Sequence, residues 1–331
     1  MDNPKAFLLS RTDSIGDMFL TLPMAGLLKK IHPGCKVFVL GKNYTRPVVE
    51  SAQLVDGFID LATLPSDPNA CADFLNGFQI THVIHVFPVK ELAFLLAKTG
   101  KVRIGTMNRW YLWLTCNQLI RLSRKNSPYH ESQLNALLLK RSGLLQIPSL
   151  TELAGHLALQ APEMDEMTAS FLSKDKTNII LHPKSKGSAK EWGIKNYAKL
   201  AALLPESKYN VLVCGTKEEG VLVGGAFGSM RHVKNLTGMF SLTQYMALIN
   251  HAQVLVAAST GPLHIAAAFG ITAIGLFSEK RPIHPGRWAP LGSNAIVVSD
   301  KGCMTCQQGK DCDCVSRISP QTILNLLNER F

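Results

Sequence analysis

Residues 6–23 read AFLLSRTDSIGDMFLTLP. The apolar run Ala6–Leu9 has the composition of a strand buried on both faces, and the segment from Met18, which contains Thr21-Leu22-Pro23, reads as a helix. Between them, Arg11-Thr12-Asp13-Ser14-Ile15-Gly16-Asp17 sets two carboxylates on the turn where strand hands over to helix. In open α/β sheets ligands bind outside the carboxyl ends of the strands, where a helix start offers unpaired N–H groups. Asp17 follows Gly16 and projects from that turn as a candidate general base. Asp13 is the better fit to a structural role such as a helix cap, a position that favours Asp.

On either side of the turn, strand-like and helix-like segments go on alternating. Strands are expected at Lys36–Leu40, Gly57–Leu61, His82–Phe87 and Val102–Ile104, with helices at Asp17–Ile31, Val89–Lys98 and Ser132–Ser142. Leu159–Thr177, with Pro162 and the polar run Ser173-Lys174-Asp175-Lys176, has linker composition. The pattern then restarts, with strands at Asn178–Leu181, Asn210–Cys214, Val254–Ala257, Thr272–Phe277 and Ala295–Val298. The accompanying helices are Lys195–Leu204, Leu242–His251, Pro262–Phe269 and a terminal Pro320–Arg330. Such alternation predicts two doubly wound α/β domains, 1–165 and 166–331, with a ligand cleft at their interface. No internal repeat or low-complexity tract is evident.

Composition narrows the class. The 331 residues are 46% apolar and 18% charged, which suits two folded cores and excludes disorder. The opening MDNPKAFLLSRTD lacks the charged and apolar regions of a signal peptide, and no apolar stretch reaches membrane-spanning length, so a cytoplasmic protein is expected. The net charge of +11 implies an anionic partner. Between Leu92 and His130 seven basic residues (Lys98, Lys101, Arg103, Arg109, Arg121, Arg124, Lys125) meet no acidic one and enclose Trp110-Tyr111-Leu112-Trp113-Leu114. This is either an element facing anionic lipid or a core helix with a solvated basic face. A P-loop and a GxGxxG after the first strand are both missing, which disfavours the NTPase and dinucleotide-dehydrogenase classes. Gly224-Gly225-Ala226-Phe227-Gly228 reads as a turn.

Two further segments carry chemistry. His182-Pro183-Lys184-Ser185-Lys186-Gly187-Ser188-Ala189-Lys190-Glu191-Trp192 follows the first strand of the second domain, and its Lys184, Lys186, Lys190 and Ser188 can hold a diphosphate. Ser259-Thr260-Gly261-Pro262-Leu263-His264 lies where a strand yields to a helix, so its free N–H groups and the Thr260 hydroxyl suit a phosphate or sugar hydroxyls. His264, in the first helical turn beside that anion site, is read as a ligand contact.

Together these pieces resemble glycosyltransferase family 9, the bacterial heptosyltransferases of lipopolysaccharide core synthesis. The matching stretches are R-x-D-x-I-G-D-x-x-L-T-L-P at Arg11–Pro23, H-P-x-S-x-x-S-A-K-x-W at His182–Trp192 and S-T-G-P-L-H-I-A-A-A at Ser259–Ala268, with Arg103-Ile104-Gly105 and His130-Glu131 in support. The resemblance implies a GT-B architecture of two Rossmann-like domains facing a central cleft, the acceptor held by the first and a nucleotide sugar by the second. It implies metal-independent, inverting transfer with no cofactor beyond the donor. Asp17 matches the base, Lys190 the lysine that meets the donor diphosphate, and Thr260, Gly261 and His264 the phosphate-and-sugar loop. Gly215 and Thr216 would border the nucleoside, with Glu218 or Glu219 near the ribose. Asp13, Arg103 and Arg109 are the candidates for acceptor binding.

Ser259 departs from members that use ADP-heptose, which commonly carry an acid there. Serine is shorter and uncharged, so a hexosyl- or N-acetylhexosaminyltransferase using a UDP- or GDP-sugar stays open beside transfer from ADP-heptose. The expected partners are a nucleotide sugar, a lipid-linked or lipopolysaccharide core acceptor, and the anionic inner face of the cytoplasmic membrane. A non-enzymatic nucleotide- or nucleic-acid-binding module is the remaining rival, and no nucleic-acid-binding motif supports it.

Eight cysteines complete the inventory. Cys35, Cys71, Cys116 and Cys214 are scattered and read as reduced core residues. Cys303-x2-Cys306-x5-Cys312-x-Cys314 packs four into twelve positions. The first pair has zinc-knuckle spacing, whereas the C-x-C pair is less usual, so a structural zinc, reduced thiols and a disulfide all remain open, and a catalytic metal is not expected.

Overall fold

The structure, a computed structural model, describes residues 4–125, 127–228 and 230–331. It divides into two compact units, Met1–Gln160 and Ala161–Phe331, and the division falls inside the linker-like segment. The first unit contains strands β1 Ala6–Ser10, β2 Lys36–Gly41, β3 Gly57–Asp60, β4 His82–His85, β5 Val102–Thr106 and β6 Gln118–Ile120. The second contains β7 Thr177–His182, β8 Tyr209–Val213, β9 Val233–Asn235, β10 Val254–Ala258, β11 Thr272–Phe277 and β12 Ala295–Ser299.

Each unit is one six-stranded sheet, ordered β3-β2-β1-β4-β5-β6 in the first and β12-β11-β10-β7-β8-β9 in the second. Every pairing between these strands is parallel. The orders are the same Rossmann winding read from opposite edges, and the switch in winding direction lies between β1 and β4 in one unit and between β7 and β10 in the other. All residues of β1, β10 and β11 are buried, as parallel strands covered by helices on both faces must be. This is the two-domain α/β, GT-B class that the alternating pattern and the resemblance imply.

Local chemistry explains where the elements differ from expectation. The helix read over Asp17–Ile31 is two helices, Ile15–Phe19 and Pro23–Ile31, because Pro23 lacks an N–H and begins the second helix instead of continuing the first. Lys29 and Lys30 end that second helix, where positive charge complements its dipole. Gly224–Phe227, read as a turn, is one turn of 3-10 helix. No helix among the described residues is long and apolar enough to cross a membrane.

The segment Trp110–Thr115 is a short helix that buries Tyr111, Leu112 and Thr115 and turns Trp110, Trp113 and Leu114 outward, each more than half exposed. Its outer face is therefore aromatic, not basic. Three of the seven flanking cations are used internally: Arg103 donates from Nε to Thr115 O at 2.7 Å, Lys101 donates to Asn76, and Arg124 pairs with Glu131.

Candidate functional site

In the first unit the loop after β1 lies at the winding switch, and its residues close on one buried cation. The Arg11 side chain is 3% exposed; its Nε donates to Asp13 Oδ1 at 2.7 Å, one Nη donates to Asp17, and the other lies 3.6 Å from Glu131 Oε1. Burial alone would lower the guanidinium's pKa, but the three carboxylates outweigh it and hold Arg11 above its ordinary value. Arg124 joins the network through Glu131, and donates to Asn135 Oδ1 at 3.0 Å. Asn135 in turn donates to Leu20 O at 3.0 Å and fixes the turn before Pro23.

Ser14, not Asp13, caps the helix that carries Asp17: Ser14 Oγ accepts from Asp17 N and donates to Asp17 Oδ2 at 2.5 Å. Asp17 therefore sits on the first helical turn, with Ser14 and Arg11 setting the direction of its carboxylate. Burial pushes the Asp13 carboxyl up to about 6, against the pull of Arg11 and with the help of neighbouring Asp17. Ser10 and His85 are register partners at the ends of β1 and β4, and neither Ser10 Oγ nor the His85 ring nitrogens find a hydrogen-bond partner among the described residues. Arg103 lies on β5 with its guanidinium on the carbonyls of Thr115 and Lys101, whereas Arg109 is exposed just before the Trp110–Thr115 helix.

In the second unit the loops after β7 and β10 flank the other winding switch. The β7 loop turns through left-handed backbone at Lys186 (φ 49°) and Gly187 (φ 78°), conformations that glycine tolerates and lysine adopts at some cost. Glu191 ties the loop: Lys184 Nζ donates to it, as do Ser185 N at 2.9 Å and Ser185 Oγ at 3.0 Å. Burial opposes ionisation of Glu191, but these donors prevail and hold its carboxyl below the ordinary range. Ser188 Oγ donates to Ser185 O at 2.7 Å, and Lys186 has no ion pair among the described residues. Lys190 Nζ reaches Asp311 Oδ1 at 2.5 Å, and Lys280 Nζ approaches the same oxygen at 3.6 Å.

After β10, Thr260 is the N-cap of the helix Gly261–Ala268, yet its side chain makes no cap bond. The Thr260 hydroxyl is buried without a partner among the described residues, beside Ser259 and the first N–H groups of that helix. His264 is buried in the same first turn. Gly215 and Thr216 follow β8, where Thr216 caps Lys217–Val223 in a reciprocal box with Glu219. Glu219 is thereby occupied, with its Oε2 accepting from Thr216 N at 2.8 Å, whereas Glu218 is exposed on the first turn. Its own backbone and Thr216 hold the Glu218 carboxyl below its ordinary value, and the charges of Lys186 and Lys217 add to this.

The site thus brings together, within each unit, residues that the sequence reading named separately. It adds partners that the reading missed: Arg11, Glu131 and Arg124 around the carboxylates, and Glu191, Asp311 and Lys280 around the lysines. The Ser14-x-x-Asp17 spacing was an available signal, because Ser followed three residues later by an acid marks a helix start. The ion pairs join residues up to about 120 positions apart and left no local trace.

The motifs have counterparts in known proteins. A family model described as Glycosyltransferase family 9 (heptosyltransferase) matches residues 93–314. The lipopolysaccharide core heptosyltransferase OpsX of Haemophilus influenzae is 29% identical over 311 residues, covering 89% of this chain and 84% of that protein. Lipooligosaccharide heptosyltransferase 2 of Haemophilus ducreyi is 25% identical over 319 residues, 89% of each. Among solved structures, that of the E. coli ADP-heptose lps heptosyltransferase II superposes with a TM-score of 0.77 at 20% identity, covering 98% of both chains.

Proposed function

The chain belongs to glycosyltransferase family 9 and is a glycosyltransferase of the heptosyltransferase kind, and from that premise we propose that it moves a heptose from ADP-heptose onto a lipopolysaccharide core-type acceptor. The observation that carries this reading is the β10 loop: a buried Thr260 hydroxyl with no partner among the described residues, at a helix start beside the winding switch, next to a lysine-bearing loop. That combination suits an anionic diphosphate carrying a sugar.

In this mechanism Asp17 takes the proton of the acceptor hydroxyl as its oxygen attacks the anomeric carbon. The bond to the diphosphate breaks on the opposite face, so the configuration inverts. Arg11 and Ser14 orient the carboxylate. Lys190, Lys184, Lys186, Ser188 and the N–H groups at Gly261 stabilise the departing diphosphate as fixed charges and dipoles, which assigns no divalent cation to the donor site. Ser259, Thr260 and His264 contact the sugar-phosphate, while Gly215, Thr216 and Glu218 border the nucleoside. Asp13, Arg103 and Arg109 serve the acceptor side, Asp13 and Arg103 through the groups they position.

The exposed Trp110, Trp113 and Leu114, with Lys90 Nζ 5.3 Å from the Trp110 ring centre and the exposed cations Lys98, Arg109, Arg121 and Lys125 in the flanking sequence, support peripheral contact with an anionic membrane. The enzyme would act at the inner face of the cytoplasmic membrane. Ser259 favours one second reading, a hexosyltransferase using a UDP- or GDP-sugar. Calorimetric titration with ADP-heptose, ADP and a panel of UDP- and GDP-sugars, without added divalent cation, separates the two. Tighter binding of ADP-heptose supports the first reading, and preference for a UDP- or GDP-sugar selects the second.

A further inference from the structure

The chain beyond β12 turns through a short helix, Met304–Gln307, and a loop that gathers Cys303, Cys306, Cys312 and Cys314, whose four Sγ atoms all lie within 4.8 Å of one another. Cys306 Sγ is 3.1 Å from Cys312 Sγ and 3.4 Å from Cys314 Sγ, and Cys303 Sγ is 3.7 Å from Cys312 Sγ. None of the four is in a disulfide, a bond that needs about 2.05 Å. Four sulfurs arranged tetrahedrally at about 2.3 Å from an ion stand about 3.8 Å apart, and the observed separations bracket that value.

The surroundings fit a thiolate cluster. Cys303, Cys306 and Cys314 are buried within the second unit's core, in a cluster that includes Trp192, Ile274 and Leu276, and Cys312 is half-buried at its edge, so four protein sulfurs are at hand to fill the coordination shell, as in structural sites. Ser278 Oγ lies 3.4 Å from Cys306 Sγ and 3.8 Å from Cys314 Sγ, and Arg317 Nη2 donates to Cys303 Sγ at 3.9 Å. These are hydrogen-bond donors of the kind that surrounds metal-bound sulfur, and the arginine offsets part of the charge of four thiolates around a divalent ion. Soft sulfur ligands in a closed tetrahedral set select zinc over magnesium or calcium.

We propose that Cys303, Cys306, Cys312 and Cys314 bind one structural zinc ion. The four thiols release their protons to solvent as the ion enters. The spacing C-x2-C-x5-C-x-C is compact enough for all four ligands because the first pair spans a single helical turn and Gly309, at φ 73°, reverses the chain towards the second pair.

The ion's role is positional. Asp311 stands between the third ligand and the turn, and it holds Lys190 and Lys280. Trp192 Nε1 donates to Ile318 O at 2.7 Å and Asn196 Nδ2 to Ser316 O at 2.7 Å, so the same tail braces the far end of the β7 loop. Zinc would therefore fix the carboxylate that aims Lys190. That consequence alone rests on the donor-site reading above, and the metal site stands without it.

The test uses the full chain, purified under reducing conditions without metal-affinity resin or chelator. Elemental analysis is expected to find about one zinc per chain, released in step with four cysteines as a mercurial thiol reagent is added. Cobalt exchanged into the site is expected to give the intense visible bands and sulfur-to-cobalt charge transfer of a tetrahedral thiolate centre. Cys306→Ser/Cys314→Ser is expected to lose the zinc. Because that variant can also lose its fold, the wild-type metal and thiol count decides the matter. Zinc well below stoichiometry, with the four thiols free or joined as disulfides by mass spectrometry, would overturn the proposal, as would stoichiometric iron in place of zinc. If zinc is present but its removal leaves ADP affinity unchanged, the positional role fails while the site stands.

Discussion

Arg11, almost wholly buried at the end of β1, donates to the carboxylate of Asp17 six residues later, while Ser14 holds that carboxylate's second oxygen at 2.5 Å. A base that must meet an acceptor hydroxyl along one direction gains from having its rotamer fixed by two donors. Asp17→Asn keeps the shape and removes the proton acceptor. It is expected to cut kcat on the order of 10²-fold or more while leaving ADP affinity nearly intact. Steady-state kinetics paired with calorimetry checks this, and near-normal turnover would remove Asp17 from the mechanism.

Lys190 is predicted to act on the donor and not on the proton transfer. Its ion pair with Asp311 leaves part of the ammonium available to a diphosphate, and a charge-assisted hydrogen bond contributes about 1.5–3 kcal/mol. Lys190→Ala should weaken ADP binding on the order of tenfold or more. Asp311→Asn keeps the lysine's charge and should weaken it less. Equal affinity in Lys190→Ala and wild type would refute the diphosphate contact.

The buried histidines are predicted to lower stability as the pH drops from about 6.5 to about 4, while the raised Asp13 carboxyl, which takes its proton first in the folded chain, opposes them below about 6. Burial lowers His85 and His182 from 6.5 to about 4, so in that window the unfolded chain binds protons that the folded chain does not. Each histidine contributes a loss of up to about 3 kcal/mol by the lower limit, and no further loss below it. The His85 nitrogens have no partner to forfeit among the described residues, so His85→Leu should flatten the pH dependence at little cost near neutrality. Denaturant midpoints at pH 7 and pH 5 for both proteins measure it. Parallel pH profiles would show that His85 does not contribute.

The outward face of the Trp110–Thr115 helix is predicted to touch lipid. Trp110→Ser/Trp113→Ser should lower partitioning onto vesicles containing anionic lipid on the order of tenfold, and raised salt should weaken wild-type binding. Vesicle sedimentation reads both effects. Retention of full binding by the double variant would place the membrane contact elsewhere.

The parts of the fold that were legible were those where burial writes a continuous signal. β10 is apolar throughout, and β1 and β7 carry the apolar runs Ala6–Leu9 and Ile179–Leu181, because helices cover both faces of a parallel sheet. β6 and β9 escaped notice because they are three-residue edge strands with polar residues, too short to show a period. The helix Lys217–Val223 was missed although its Thr216-x-x-Glu219 capping box is a readable start signal. In the candidate site the motif residues stood out, but their partners did not. Glu131 reaches Arg11 and Asp311 reaches Lys190 only through tertiary packing. The outward turn of Trp110 and Trp113 was likewise undecided, because the same aromatic run suits a buried helix.

Heptosyl transfer is read without intermediaries as product formation. The purified protein is incubated with ADP-heptose and a lipopolysaccharide acceptor truncated before its heptoses, without added divalent cation, and the acceptor is weighed by mass spectrometry. A product heavier by one heptose is expected, formed by wild type and not by Asp17→Asn. An unchanged acceptor with ADP-heptose, together with a hexose-sized increment from a UDP- or GDP-sugar, would contradict heptosyl transfer.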